Sequence, residues 1–105
     1  MKIGLAYGEA FEKSFKKIKN EKDKAAIKGV LVKFAGMGVH IGAPGFKYLN
    51  VKKALQDRGV VRCRLRSGVW RVLLTEEEEN LSYIVEDIQL RKNAYEVWKR
   101  KYELA

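Results

Sequence analysis

Apolar and polar positions change period several times along the chain, and each change marks an element. Ile3, Leu5 and Tyr7 alternate with Lys2, Gly4 and Ala6, a period of two that predicts a strand with one buried face. Phe11, Phe15 and Ile18 then recur at helical spacing, while Glu12, Lys13, Lys16, Lys17 and Lys19 fall on the opposite side, predicting an amphipathic helix with a basic outer face. Asn20-Glu21-Lys22-Asp23 reads as a break, with Asp23 as the N-cap of a second helix striped by Ala26, Ile27, Val30, Leu31 and Phe34. The two helices form a hairpin. Gly29 inside it costs about 1 kcal/mol relative to Ala, so close helix packing is its expected reason.

The run GMGVHIGAPG from Gly36 to Gly45 holds four glycines and the only proline, which is loop composition. Its glycine spacing fits no phosphate-loop fingerprint, so it is read as the connection from hairpin to sheet. Phe46 to Leu55 fits a short strand or a short helix equally, and Asp57-Arg58-Gly59 is a turn. Val60 to Arg66 then alternates strictly, with Val61, Cys63 and Leu65 on one face and Arg62, Arg64 and Arg66 on the other. Ser67-Gly68 signals a two-residue hairpin, and Val69 to Leu74 returns as the next strand. Glu76 to Asn80 is read as a loop, Leu81 to Ile88 as a further strand, and Ala94, Trp98 and Tyr102 as the stripe of a terminal helix over 93–102. The expected architecture is one α+β domain over residues 1–105, a small antiparallel β-sheet packed against an N-terminal helical hairpin, with a short C-terminal helix.

Length and composition narrow the function. The 105 residues are 47% hydrophobic and 33% charged, enough for one core that needs no metal or disulfide staple. With one cysteine, Cys63, and one histidine, His40, neither an intrachain disulfide nor a zinc cluster is expected. The apolar runs are far shorter than the ~20 residues that span a bilayer, and the N-terminus lacks the basic-then-apolar order of a signal peptide. A cytoplasmic setting without membrane contact is expected. The formal charge of +9 points to nucleic acid, ribosome or an acidic protein partner.

The placement of that charge carries the argument. Of seven arginines, five (Arg58, Arg62, Arg64, Arg66 and Arg71) lie within residues 58 to 71, a span that holds no acid. Alternation puts three of them on one sheet face. At ~3.3 Å per residue, Arg62 to Arg66 spans about 13 Å, roughly two phosphates of an extended single strand. The planar guanidinium fork suits bidentate phosphate recognition and a crowded phosphoryl transition state. The plainer alternative, a solvated outer face, normally mixes Glu with Lys and Arg.

The pattern VRCRLRSGVWRVLL, whose Arg71 is followed twenty residues later by Arg91 of IQLRKNAY, resembles the RelE/ParE superfamily of bacterial toxins, whose members carry an R-x-R-x-G-x-(Y/W)-R hairpin and a closing R-x-x-x-Y. The opening strand and the FEKSFKKI helix are similar in pattern. The resemblance implies a RelE-like fold, metal-independent cleavage of mRNA in the ribosomal decoding site without any cofactor, and a cognate acidic antitoxin that holds the toxin inactive. It places Arg62 and Arg64 where RelE-type enzymes carry two strand-borne lysines that contact RNA and assist proton transfer. Arg71 falls on the arginine that holds the scissile phosphate, Arg91 on the arginine four residues before the terminal tyrosine, and Tyr95 on that base-stacking tyrosine. Implied catalytic residues are thus Arg64, Arg71, Arg91 and Tyr95, and implied RNA-binding residues Arg62, Arg64, Arg66 and Arg71. Arginine stays protonated where a crowded lysine can act as a base. The chain therefore relies on transition-state electrostatics or finds its base in Tyr95, His40 or a carboxylate such as Glu96.

Other residues have plainer readings. Trp70 shares a strand face with Val72 and Leu74 and is read as core rather than a stacking platform. Cys63 is core, Glu76 to Glu79 a solvated turn, and His40 an ordinary loop histidine. Arg71, beside a tight turn, is expected to be removable at little cost in stability. Two other functions fit the same fold: a ParE-like inhibitor of DNA gyrase that acts by protein contact, and a cleavage-dead RNA-binding relative. The gyrase reading shifts the weight from the arginines to the hairpin at residues 11 to 35.

Overall fold

The computed structural model describes residues 2–37 and 45–105. Its strands and helices run in the order β1 (Gly4–Tyr7), α1 (Glu9–Lys17), α2 (Glu21–Met37), β2 (Lys47–Leu49), α3 (Lys53–Asp57), β3 (Val61–Ser67), β4 (Trp70–Glu78), β5 (Ser82–Leu90) and α4 (Arg91–Lys101). The strands form one five-stranded sheet in the order β1-β5-β4-β3-β2. It is antiparallel except where β1 lies parallel to β5. The expected α+β architecture is the one seen, with one strand more than the pattern alone resolves, because Phe46 to Leu55 supplies both a short strand and the start of a short helix.

The α1–α2 hairpin packs on one sheet face. Phe11, Ile27, Leu31 and Phe34 meet Cys63, Leu65, Val72, Leu74, Tyr83 and Val85 there, and this is the main core. Cys63 is fully buried within it. Helix α2 starts two residues before Asp23. Asn20 is its cap, its side-chain oxygen accepting from the Asp23 amide at 3.1 Å. Asp23 instead accepts from Trp70 Nε1 at 3.1 Å, tying the β3–β4 hairpin to the helix start. Gly29 faces open space, so close packing is not the reason for it.

A second core covers the opposite face. Leu73 is fully buried under Ala94 and Trp98 of α4, together with Val51, Leu55 and Leu104. The sequence carried a sign of this second layer in Val72-Leu73-Leu74, three consecutive apolar residues that a strand with one wet face would not need. After α4 the chain runs back along residues 50–52: the Lys52 amide donates to Glu103 O, and Ala105 N donates to Asn50 O, both at 2.9 Å. Strand β4 continues through Glu78, so the expected loop at Glu76 begins later, and Glu76 is a strand residue whose carboxylate accepts from the Tyr83 hydroxyl at 2.7 Å.

Candidate nucleic-acid interface

The register of β3, β4 and β5 arranges the arginines as a grid. Arg66 pairs with Arg71, Arg64 with Leu73 and Arg62 with Thr75, while Arg71 and Leu73 pair on their other side with Gln89 and Asp87. All three β3 arginines share the face that the alternation predicts, but α4 and the C-terminal tail also sit on that face. The row is therefore divided.

Arg62 is taken up by the protein itself. Its Nε donates to Tyr102 O at 3.0 Å, its Nη1 bonds Thr75 Oγ1, and it pairs with Glu86 Oε2 at 3.5 Å. Its guanidinium carbon also lies 5.3 Å from the Tyr102 ring centroid. The sequence reading of Arg62 as RNA-facing thus meets a side chain that closes the C-terminus onto the sheet. Glu86 and Thr75 are linked at 2.8 Å, and the sequence does not show them as its partners because their juxtaposition depends on the pairing register of β3, β4 and β5, which no local pattern encodes.

At the other end of the grid the cations gather. Arg71 lies beside Arg64, Arg91 and Arg66, and its pKa is lowered, first by burial and then by those three charges, with the Tyr95 phenol acting in the opposite direction. Among the described residues the ion pairs are Lys13 with Glu9 and Arg62 with Glu86, so no carboxylate forms an ion pair with a member of this cluster. Like charges placed directly across two strands, as Arg66 and Arg71 are, oppose folding. The arrangement makes physical sense for a polyanion partner.

Arg71 is 7% exposed, and its Nη1 donates to Gly68 O at 2.8 Å and to Trp70 O at 2.9 Å. It holds the hairpin from beneath, which corrects the expectation that it is cheap to remove. The hairpin itself is one residue later than expected. Ser67 pairs with Trp70, the loop is Gly68-Val69, and Gly68 at φ 58 with no positive φ at Val69 has the sign pattern of a type II′ turn. Arg64 is fixed by Nη1 donating to Gly45 O at 2.9 Å, and its Nε is buried without an acceptor. Gly45, which the sequence suggested only as loop, is needed there: at φ 65 a Cβ would lie 2.3 Å from Arg66 Cβ. Tyr95 stands on α4, partly exposed, with its ring 5.8 Å from Trp98. Trp98 Nε1 in turn donates to the buried Asp87 at 3.1 Å, which sets how α4 lies across the sheet. Arg91 is exposed at the first turn of α4, where a basic residue faces the positive end of the helix dipole. Glu96 is exposed, and His40 lies outside the described residues.

Compared with solved structures, a chain of the archaeal RelE–RelB complex from Pyrococcus horikoshii OT3 is similar to this one with a TM-score of 0.67, over 90% of this chain and 100% of that chain. The fold is that of the RelE toxins. A double mutant of the E. coli toxin RelE, in the free state, is similar with a TM-score of 0.53 over 90% of each chain. Sequence identities are 12% and 16%, so the likeness to the RelE fold is one of architecture. No family model and no curated protein matches the sequence. Among the described residues, no helix is long and apolar enough to cross a membrane.

Proposed function

We propose that the chain is a RelE-like toxin of a type II toxin–antitoxin pair that cleaves translated mRNA on the ribosome in the cytoplasm. The observation that carries this reading is the gathering of Arg64, Arg66, Arg71 and Arg91, none with an ion-pair partner among the described residues, around one end of the sheet, with Tyr95 beside it. In the reaction the ribose 2′-oxygen attacks phosphorus, the bond to the 5′-oxygen breaks, and a 2′,3′-cyclic phosphate and a 5′-hydroxyl result. Arg64, Arg66 and Arg91 bind the phosphate and offset the charge that grows on its oxygens. Arg71, bonded to the hairpin through Nη1, presents its remaining N–H groups and keeps the tip rigid. Tyr95, reacting as the phenolate, takes the 2′-hydroxyl proton, and the phenol so formed gives it to the departing 5′-oxygen. The cognate partner is an acidic antitoxin segment that neutralises the same cluster.

Primer-extension mapping of cleavage on translated mRNA tests this. Arg66→Ala and Arg91→Ala are expected to cut the rate by about 10²- to 10³-fold in a folded protein. Tyr95→Phe, which removes the hydroxyl that moves the proton, is expected to be equally severe. Wild-type cleavage by all three folded variants would overturn the enzymatic reading.

A second reading, protein binding in the ParE manner, is favoured by a separate feature. Tyr7, Phe11 and Phe15 form a ladder with ring centroids 5.6 and 5.5 Å apart, lining an open groove with Lys16, Lys28, Leu31 and Val32. Growth arrest that survives Arg66→Ala but is lost with Val32→Glu would move the assignment to this hairpin surface.

A further inference from the structure

The turn at Val69 is held by the Arg71 guanidinium and by the backbone amide of Arg91. Arg71 Nη1 takes the carbonyls on either side of it, those of Gly68 and Trp70, and the Arg91 amide takes the Val69 carbonyl at 2.7 Å. Three successive carbonyls at a hairpin tip, a place normally satisfied by water, are thus satisfied by the Arg71 side chain and the Arg91 backbone amide. The tip is stiff, and its side chain is left pointing out: Val69 is 60% exposed. Next to it, Leu90 completes the lining of an open depression of about 490 Å³, whose remaining walls are Arg91 and Lys92. A scattered surface valine needs no explanation. A valine fixed rigidly on an apolar floor, with cations as its rim, does.

We propose that this depression is a nucleobase subsite, seating the base of the nucleotide next to the phosphate held by Arg64, Arg66, Arg71 and Arg91. The inference rests on the RNA-binding reading above and deepens it. Two features select a base as the occupant. Arg91 belongs both to the phosphate cluster and to the rim, so the ligand must put negative charge and an apolar surface within one nucleotide's reach of each other. A base has two flat apolar faces, and a guanidinium can lie against one while Val69 and Leu90 meet the other. The side chains of the floor carry no hydrogen-bonding group, so base identity is sensed through contact area, and purines bind better than pyrimidines.

The test compares two short single-stranded RNA oligomers by fluorescence anisotropy with the whole chain, one bearing adenines throughout and one abasic at its central positions. Val69→Ser, at an exposed turn position, is expected to weaken binding of the adenine oligomer by about 5- to 10-fold, the worth of one isopropyl contact. Its binding of the abasic oligomer should be unchanged. Val69→Trp should tighten the first and not the second, whereas Arg66→Ala should weaken both alike. Wild-type binding of the adenine oligomer that Val69→Ser and Val69→Trp leave untouched overturns this inference alone. A wild-type chain with no affinity for either oligomer overturns the RNA reading with it. Loss of affinity for an acidic peptide on Val69→Ser, with RNA affinity intact, overturns it in favour of a protein contact.

Discussion

Arg62 Nε donates to the backbone carbonyl of Tyr102 at 3.0 Å, across forty residues of sequence. Around this bond the guanidinium also meets Glu86, Thr75 and the Tyr102 ring, and the residues beyond Tyr102 pair with the segment at 50–52. One strand residue thereby fixes the end of the helix that carries Arg91 and Tyr95.

Removing Arg62 should therefore act on stability. Its side chain is 12% exposed and Glu86's 23%, so Arg62→Ala leaves a largely covered carboxylate without its cation. The expected loss is about 3 kcal/mol. Urea denaturation checks the magnitude, and hydrogen exchange at the Ala105 amide checks the location, since that amide bonds Asn50 O only while the tail is docked. An unchanged midpoint with unchanged protection would show that the tail is held without Arg62.

The division of the arginine row has a signature in salt dependence. With the four guanidiniums gathered on the scissile phosphate and reaching its neighbours along the strand, one phosphate charge neutralised per guanidinium gives a log–log slope of RNA affinity against salt of about −3, from roughly −0.7 per phosphate on a single strand. Arg66→Ala should reduce the steepness by one phosphate's share. Arg62→Gln should leave it as it is. Equal changes from both substitutions would place Arg62 on the RNA after all.

Much of this arrangement was legible in the sequence, and the failures have identifiable causes. The alternation of Val61 to Arg66 gives the correct faces, because β3 pairs with both neighbours without a register shift and so keeps its period of two. It could not show that α4 lands on the arginine face, since that depends on Leu73 and Trp98, residues far apart in the chain. Asp23 as a cap failed against Asn20, three residues earlier and equally good at capping. The sequence makes Arg71 look removable at little cost in stability, because nothing local shows that a guanidinium can reach back to the carbonyls of its own turn. The gathering of Arg64, Arg66, Arg71 and Arg91 follows from strand register plus one helix start, and only the first of these is encoded locally.

Alkaline pH should weaken the fold. Burial, aided by Asp87 and Glu86, pushes the Tyr102 phenol up to about 12, with Arg62 acting the other way. Tyr83 and Tyr48 are raised too, first by burial and then through Glu76. Unfolded tyrosines lose their protons near pH 10, where these three still hold theirs. The stabilisation is therefore complete below about pH 10 and is lost as the pH rises toward about 12. Denaturation midpoints measured from about pH 8 to about pH 12 should fall over that upper window, and Tyr102→Phe should shallow the fall. A wild-type midpoint that holds steady to pH 12 would contradict these environments.

Gly45 should prove the most sensitive glycine for the guanidinium cluster, and Gly59 supplies its control. Both have left-handed backbones, φ 65 and φ 75, so alanine at either position pays about 1 to 2 kcal/mol for that conformation. They differ in their surroundings. A Cβ at Gly59 meets nothing within 4 Å, whereas one at Gly45 would lie 2.3 Å from Arg66 Cβ and 3.0 Å from Arg66 N. Those atoms belong to a sheet strand and cannot swing aside as the end of a flexible side chain can. Relief must come from the Gly45 segment moving away from β3, and that withdraws the carbonyl holding Arg64 Nη1. Gly45→Ala is accordingly expected to destabilise more than Gly59→Ala and, unlike it, to weaken RNA binding by freeing Arg64. The check is a pair of urea titrations alongside RNA anisotropy on both variants. Equal stability losses and equal affinities would mean that the Gly45 contact with Arg66 does not constrain the site.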